Sequence, residues 1–266
     1  MTELEDYSEQ EPFNRDRYGR PLIVDPDTGE LVAYMRASSF AGLLTDKYLE
    51  TYHQWWAVKA AVMFPDEAAV VAGSPTQQKG QAKPIKDMVH RAGMHEKRDR
   101  GQARHTLVRK ALTGAALPDL TEQQFNELQA VVDAINGLGF IEAVEMPLVC
   151  DELQVAGQAD YVGEGVDGPF IADLKTGSRY KGSSEIEWGL QLIAYARGQR
   201  WDRGSGTRRG YICPTLPKLY IVHAPQDEPT VDVIELDPKV CMKLAHAAMA
   251  VRDARQYQPV KKGVAV

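Results

Sequence analysis

Apolar positions follow a helical period through the first half of the 266-residue chain and a strand period through most of the second, changing near Gly137. Two short apolar runs, LIV (22–24) and LVAYM (31–35), flank Asp25-Pro26-Asp27-Thr28-Gly29, a turn signal that predicts a hairpin. From Ser38 or Ser39, the residues Phe40, Leu43, Leu44, Tyr48, Tyr52, Trp55, Trp56 and Val62 predict one long helix to about Phe64. GSPTQQKGQAKP (73–84) is loop by composition, and helices are expected over 85–92 and 95–113. Thr121 with Gln124 three residues on has the pattern of a capping box, and Gly137 closes that helix.

Beyond Gly137, residues 140–149, 153–162 and 169–174 read as three strands, separated by Asp151-Glu152 and EGVDG (164–168). A helix over about 184–200, strands at 209–213, 218–223 and 231–236 and a closing helix over 238–256 complete the order, with Asp237-Pro238 as the last cap. The expected fold class is α/β (α+β). A helical part over 38–137 and a sheet-containing core over about 95–260 share one domain, 19–266, after an acidic flexible arm, 1–18.

The composition, 44% hydrophobic and 26% charged, is ordinary for a globular chain, and no apolar run reaches the ~18 residues of a membrane span. The N-terminus reads as neither signal nor transit peptide. Three cysteines, Cys150, Cys213 and Cys241, contain no CxxC pair, which argues against a disulfide framework or a cysteine-rich zinc site and for a reducing, cytoplasmic setting. The net charge of −6 lies wholly in residues 1–30, which hold nine acids and three bases. The rest is neutral overall but uneven. Residues 79–110 hold ten bases against three acids, and 197–209 five arginines against one aspartate. Such stretches can attract a polyanion, although either alone could be a solvated helix face.

Candidate chemistry is concentrated in 157–195. Pairing of the second and third strands as an antiparallel hairpin would bring Asp160, of GQAD (157–160), and Asp173, of IADLKTG (171–177), to one end of the sheet. Asp173 and Lys175 share a strand face, and the carbonyl of Leu174 between them is available as an oxygen ligand. Two carboxylates and a carbonyl suit Mg²⁺ or Mn²⁺ rather than zinc. A neighbouring lysine can orient an attacking water and offset phosphate charge. Gln191 and Tyr195 lie four residues apart on one helix face, with Glu187 one turn earlier. His105 sits mid-helix among apolar neighbours and could be a further ligand or a packing residue. No Walker loop, GxGxxG or GxSxG is present, so a small-molecule enzyme of those classes has no support.

The order G-x-x-D (157–160), D-x-K-T-G (173–177), Q-x-x-x-Y (191–195), preceded by G-Q-A-R-H (101–105), resembles the RecB-type branch of the PD-(D/E)xK nuclease superfamily, including phage-encoded exonucleases, over about 95–260. The resemblance implies a restriction-endonuclease-like core, with a mixed central sheet flanked by helices. It also implies Mg²⁺- or Mn²⁺-dependent hydrolysis of DNA phosphodiesters, most simply by an exonuclease of phage DNA recombination, replication or repair. Carried across, His105, Asp160, Asp173 and the Leu174 carbonyl would bind metal, Lys175 would be the catalytic lysine and Gln191 with Tyr195 the auxiliary motif. Glu145 is a weaker match with a supporting role. Lys97, Arg98, Arg100, Arg104 and Arg109 would neutralise the DNA backbone. The substrate would be linear double- or single-stranded DNA, with a recombinase or single-strand-binding protein as a further partner and no membrane. The four cysteines of iron–sulfur relatives are lacking, so no cluster is expected. The alternative is a non-catalytic DNA-binding or assembly subunit that retains the fold.

Overall fold

A computed structural model of the chain describes residues 4–8, 11–44, 47–73, 82–177, 184–212, 215–226 and 228–256. In chain order the elements are β1 (Glu5–Asp6), β2 (Leu22–Val24), β3 (Leu31–Ala33), β4 (Met35–Arg36), α1 (Ala37–Ala41), α2 (Lys47–Met63), α3 (Pro65–Ala72), α4 (Ala82–Arg91), α5 (Glu96–Thr113) and α6 (Glu122–Asn136). There follow β5 (Phe140–Cys150), β6 (Val155–Gly165), β7 (Gly168–Lys175), α7 (Ser184–Ala196), β8 (Gln199–Asp202), β9 (Thr207–Tyr211), β10 (Lys218–His223), β11 (Asp232–Leu236) and α8 (Pro238–Gln256).

Local chemistry explains where several of these begin and end. At the β2–β3 turn, Asp25 Oδ1 accepts the N–H groups of Asp27 and Thr28 at 2.9 Å each, and Gly29 takes φ +73°. Thr121 and Gln124 form the reciprocal capping box, and Gly137 follows the last turn of α6. Two expected helices are shorter than their apolar pattern. The helix expected from Ser38 to Phe64 is divided: α1 is capped by Gly42, and α2 runs to Met63 before Pro65 opens α3. The helix expected to run to Arg200 stops at Ala196, after which Gly198 turns the chain and Gln199–Asp202 becomes a strand between β5 and β9. Most of the expected loop, residues 74–81, lies outside the described residues, and α4 starts at Ala82.

By its contacts the chain divides into two compact units, 1–45 with 107–266, and 46–106. The smaller unit is helical, with Ala60, Met88, Val89 and Ala92 buried beside Trp56, Phe64 and Met94. The larger is built on a sheet ordered β11-β10-β7-β6-β5-β8-β9, with β1 added to β5 and β4 to β6. The pairing is mixed: β5–β6–β7 is an antiparallel meander, while β10 runs parallel to β7. One face is covered by α1, α7 and α8 through Phe40, Leu190, Leu192, Ile193 and Ala245. The other is covered by α6 and the end of α5 through Val108, Val131 and Ile135, against Val144, Phe170 and Leu174. This is the mixed α/β architecture with a central sheet flanked by helices. Burial on both faces accounts for the nearly continuous apolar strands.

The arm expected over residues 1–18 is not free throughout. Glu5 and Asp6 pair in parallel with Ala143 and Val144 of β5, and Phe13 is 3% exposed against Trp201. Open strand edge and an aromatic contact outweigh the arm's polar composition. Among the described residues no helix is long and apolar enough to cross a membrane.

Candidate active site

The candidate site lies where the sheet forks. β6 and β7 pair from Gly165/Gly168 to Tyr161/Ala172 and then part, while β7 continues along β10 to Lys175. β4 takes up the freed edge of β6 at Val155 and Ala156. Between those contacts, residues 157–160 face 173–175 across an opening. A carboxylate replaces the missing backbone ladder there, since Asp160 Oδ2 accepts the Leu174 N–H at 2.8 Å. The Lys175 carbonyl accepts the Ala224 N–H at 2.8 Å from the β10 side. Strand alternation therefore turns the peptide groups of Leu174 toward β6, although its side chain is buried in the core.

Asp173 and Lys175 share the face covered by α7, where Gln191 joins them. Gln191 Oε1 accepts from Lys175 Nζ at 2.9 Å, while its Nε2 donates to Asp173 Oδ1 at 3.0 Å and to the Tyr195 hydroxyl at 3.2 Å. Lys175 Nζ also stands 2.7 Å from Asp173 Oδ2. Burial alone would favour the neutral amine, but the charges of Asp173 and Asp160 outweigh it and hold the Lys175 pKa above its ordinary value. Lys175 is thus a fixed cation and a donor. Burial, with Asp173 beside it, pushes the Tyr195 phenol far up, so it stays protonated. Gly157 makes room for this ring: a Cβ there would lie 3.0 Å from Tyr195 Cε1 and from Ala37 Cβ. The glycine of the G-x-x-D motif is therefore a packing necessity within a strand.

Glu145 joins the cluster. Val144 pairs with Tyr161 and Met146 with Ala159, which sets Glu145 across from Asp160 on the neighbouring strand. Its φ of +54° is unusual for a non-glycine residue, costs about 1–3 kcal/mol, and marks it as held by its surroundings. Burial, then the charge of Asp160, pushes its carboxyl up to about 8, with Arg109 opposing the shift. In the sequence it is a lone acid within the otherwise apolar AVEMPLV, matched only weakly by the family resemblance.

A carboxyl raised on folding binds its proton more tightly in the native chain, so its contribution to stability is lost as pH climbs from about 4.5 to about 8. In a chelator, Glu145→Gln is expected to melt above the parent at the top of that range, the gap closing toward the bottom. A gap independent of pH would show that folding does not raise the Glu145 carboxyl.

Asp160 and Asp173 against one ammonium leave negative charge that a cation would offset, and Glu145 adds to it once ionised. Asp173 Oδ2 is buried and, among the described residues, accepts no hydrogen bond of normal geometry; only the Lys175 ammonium faces it. An all-oxygen donor set with a free lone pair fits a hard divalent ion. Among the described residues no three His, Cys, Asp or Glu side chains already converge as a cation cage. The oxygens of Asp160 and Asp173 are instead engaged by Leu174, Gln191 and Lys175.

Of the expected site residues, the structure brings together Asp160, Asp173, Leu174, Lys175, Gln191 and Tyr195. His105 and Arg104 lie half-buried on α5 within the smaller unit, where Lys97, Arg98 and Arg100 are exposed. Arg98 pairs with its neighbour Asp99 at 3.2 Å. Arg109 belongs to the larger unit and pairs with Asp6 at 3.1 Å and with the Ser8 hydroxyl. Cys150 and Cys241 are buried, free thiols.

The family model of the PD-(D/E)XK nuclease superfamily matches residues 41–257. No curated protein matches the chain.

Proposed function

This chain belongs to the PD-(D/E)XK nuclease superfamily, and from that membership we propose that it is a Mg²⁺- or Mn²⁺-dependent deoxyribonuclease of the RecB-type branch, degrading linear DNA from its ends in phage recombination, replication or repair. One observation carries the reading: Asp160, Asp173, Lys175, Gln191 and Tyr195, drawn from two strands and a helix, meet in one network at the fork between β6 and β7. The end-dependent activity and the phage setting rest on the order of motifs shared with that branch.

Asp160, Asp173 and the Leu174 carbonyl would hold the metal, with His105 added by its place in the G-Q-A-R-H motif. When bound, the ion supplies charge stabilisation at the phosphate and lowers the pKa of a water. Lys175 Nζ, which stays protonated, would orient that water and offset charge on the phosphate oxygens. Gln191 holds Lys175 and Asp173 in register, and Tyr195 holds Gln191. Lys97, Arg98, Arg100, Arg104 and Arg109 would contact the phosphate backbone without reading sequence, so binding should weaken steeply with salt. A recombinase or a single-strand-binding protein is the partner suited to the exposed product.

The test is digestion of end-labelled linear DNA beside covalently closed circular DNA, with Mg²⁺, with Mn²⁺ and with chelator. Loss of the linear substrate alone, only with metal, is the expected result. Equal cutting of the circle would remove the end-dependent part of the reading. If neither substrate is cut under any condition, a binding subunit retaining the fold takes its place.

A further inference from the structure

The exposed side of β5 is shared by two strands placed end to end. β1 pairs at Ala143 and Val144, while β8 pairs at Leu148 and Val149, leaving Glu145, Met146 and Pro147 between them. A cavity of about 550 Å³ opens at this gap, with Asp6, Tyr7 and Pro147 on one side and Arg200, Arg203 and Arg209 on the other. Two of its bases are held by half-buried acids at the surface: Arg200 by Glu142 at 3.3 Å, and Arg209 by Asp202. Surface pairs of this kind are worth about 0–1 kcal/mol and exchange readily for another anion.

The remaining acids come from the N-terminal segment. Asp6 pairs with Arg109, which Ser8 also holds, while Glu5 is exposed and bonded to Tyr7. The segment's backbone pairing is short, with two β1 residues in register and a Tyr7 N–H bond to the Val144 carbonyl at 3.2 Å, while Leu4 and Tyr7 are partly buried against the sheet's two core clusters. Such a short edge strand opens at low cost. Residues 1–10 contain four acids and no base. Asp6 and Arg109 also lie within electrostatic reach of Glu145, which places the groove beside the fork.

We infer that the groove along the outer edge of β5, lined by Arg200, Arg203 and Arg209 and joined through Asp6 to Arg109, is a binding surface for the phosphodiester backbone of a nucleic-acid strand, and that the acidic β1 segment occupies it as a built-in competitor. This inference rests on the nuclease reading and extends it, giving the substrate a path past Glu145. Glu5 and Asp6 stand in for phosphates, and incoming DNA displaces them and takes over Arg109.

The experiment measures binding of a fluorescent linear duplex by the full chain in chelator across a salt series, so that cleavage does not enter. Asp6→Asn is expected to tighten binding by roughly tenfold, with a log–log salt slope steeper by about one unit for each further phosphate neutralised. Glu5→Gln leaves the Asp6–Arg109 pair intact and should tighten binding by about threefold through the same charge effect. In an Arg109→Gln background the tightening caused by Asp6→Asn should vanish, which a merely structural role for Asp6 would not produce. Parent-like affinity and slope in both single variants, while the parent binds DNA, overturns the competitor and leaves the nuclease reading standing. Absence of DNA binding in the parent and in all variants overturns both.

Discussion

Replacement of Lys175 by alanine is expected to reduce metal-dependent DNA cleavage by about 10³-fold, roughly 4 kcal/mol of transition-state stabilisation. The ammonium is fixed by Asp173 at 2.7 Å and by Gln191 at 2.9 Å, so it acts without reorganising when charge develops on a phosphate. Its removal also leaves Asp173, 2% exposed, without its cation. Breaking a buried pair costs about 3–5 kcal/mol, so the variant should melt lower in chelator and regain stability when Mg²⁺ or Mn²⁺ is added. Cleavage rates paired with melting curves in both conditions separate the two effects. A folded Lys175→Ala protein that cuts at the parent rate would overturn the assignment of the lysine.

Gly163→Ala should cause the largest loss of stability among single-methyl changes in the sheet. Gly163 pairs with Phe170 of β7, and a Cβ there would lie 2.3 Å from the Phe140 carbonyl oxygen and 2.7 Å from Phe170 Cζ. The first obstacle is backbone within the β5–β6 ladder, beside the register shift between Ile141 and Ala143, so strands rather than a flexible side chain must move. Such overpacking costs about 3 kcal/mol or more, equivalent to a fall in Tm of about 6–12 °C for a unit of this size. Differential scanning calorimetry checks it. A shift under about 2 °C would mean that β5 and β6 approach less closely here than described. DNA cleavage below the new transition should persist, because the fork begins beyond Tyr161/Ala172.

Local information was enough for much of the fold. Alternation and turn residues marked β5, β6, β7 and β10, and the Thr121–Gln124 box and Gly137 bounded α6, because those choices are decided within a few residues. It failed where a distant contact made the decision. Gln199–Asp202 left a helical pattern to pair with Leu148 and Val149, and the acidic Glu5–Asp6 left solvent for the edge of β5. A strand edge offers hydrogen bonds that no local propensity anticipates.

The site divides along the same line. Residue types and spacing alone were enough to nominate Asp160, Asp173, Lys175, Gln191 and Tyr195, since an i, i+2 strand pair and an i, i+4 helix pair share a face wherever they occur. Glu145, named in the sequence only as a weaker match of the resemblance, was tied to the cluster by cross-strand register and an unusual backbone angle, and Arg109 acquired its anionic partner from a hundred residues away. Register and the meeting of remote segments depend on how the whole sheet closes, a global balance of burial and pairing that short-range periodicity does not encode.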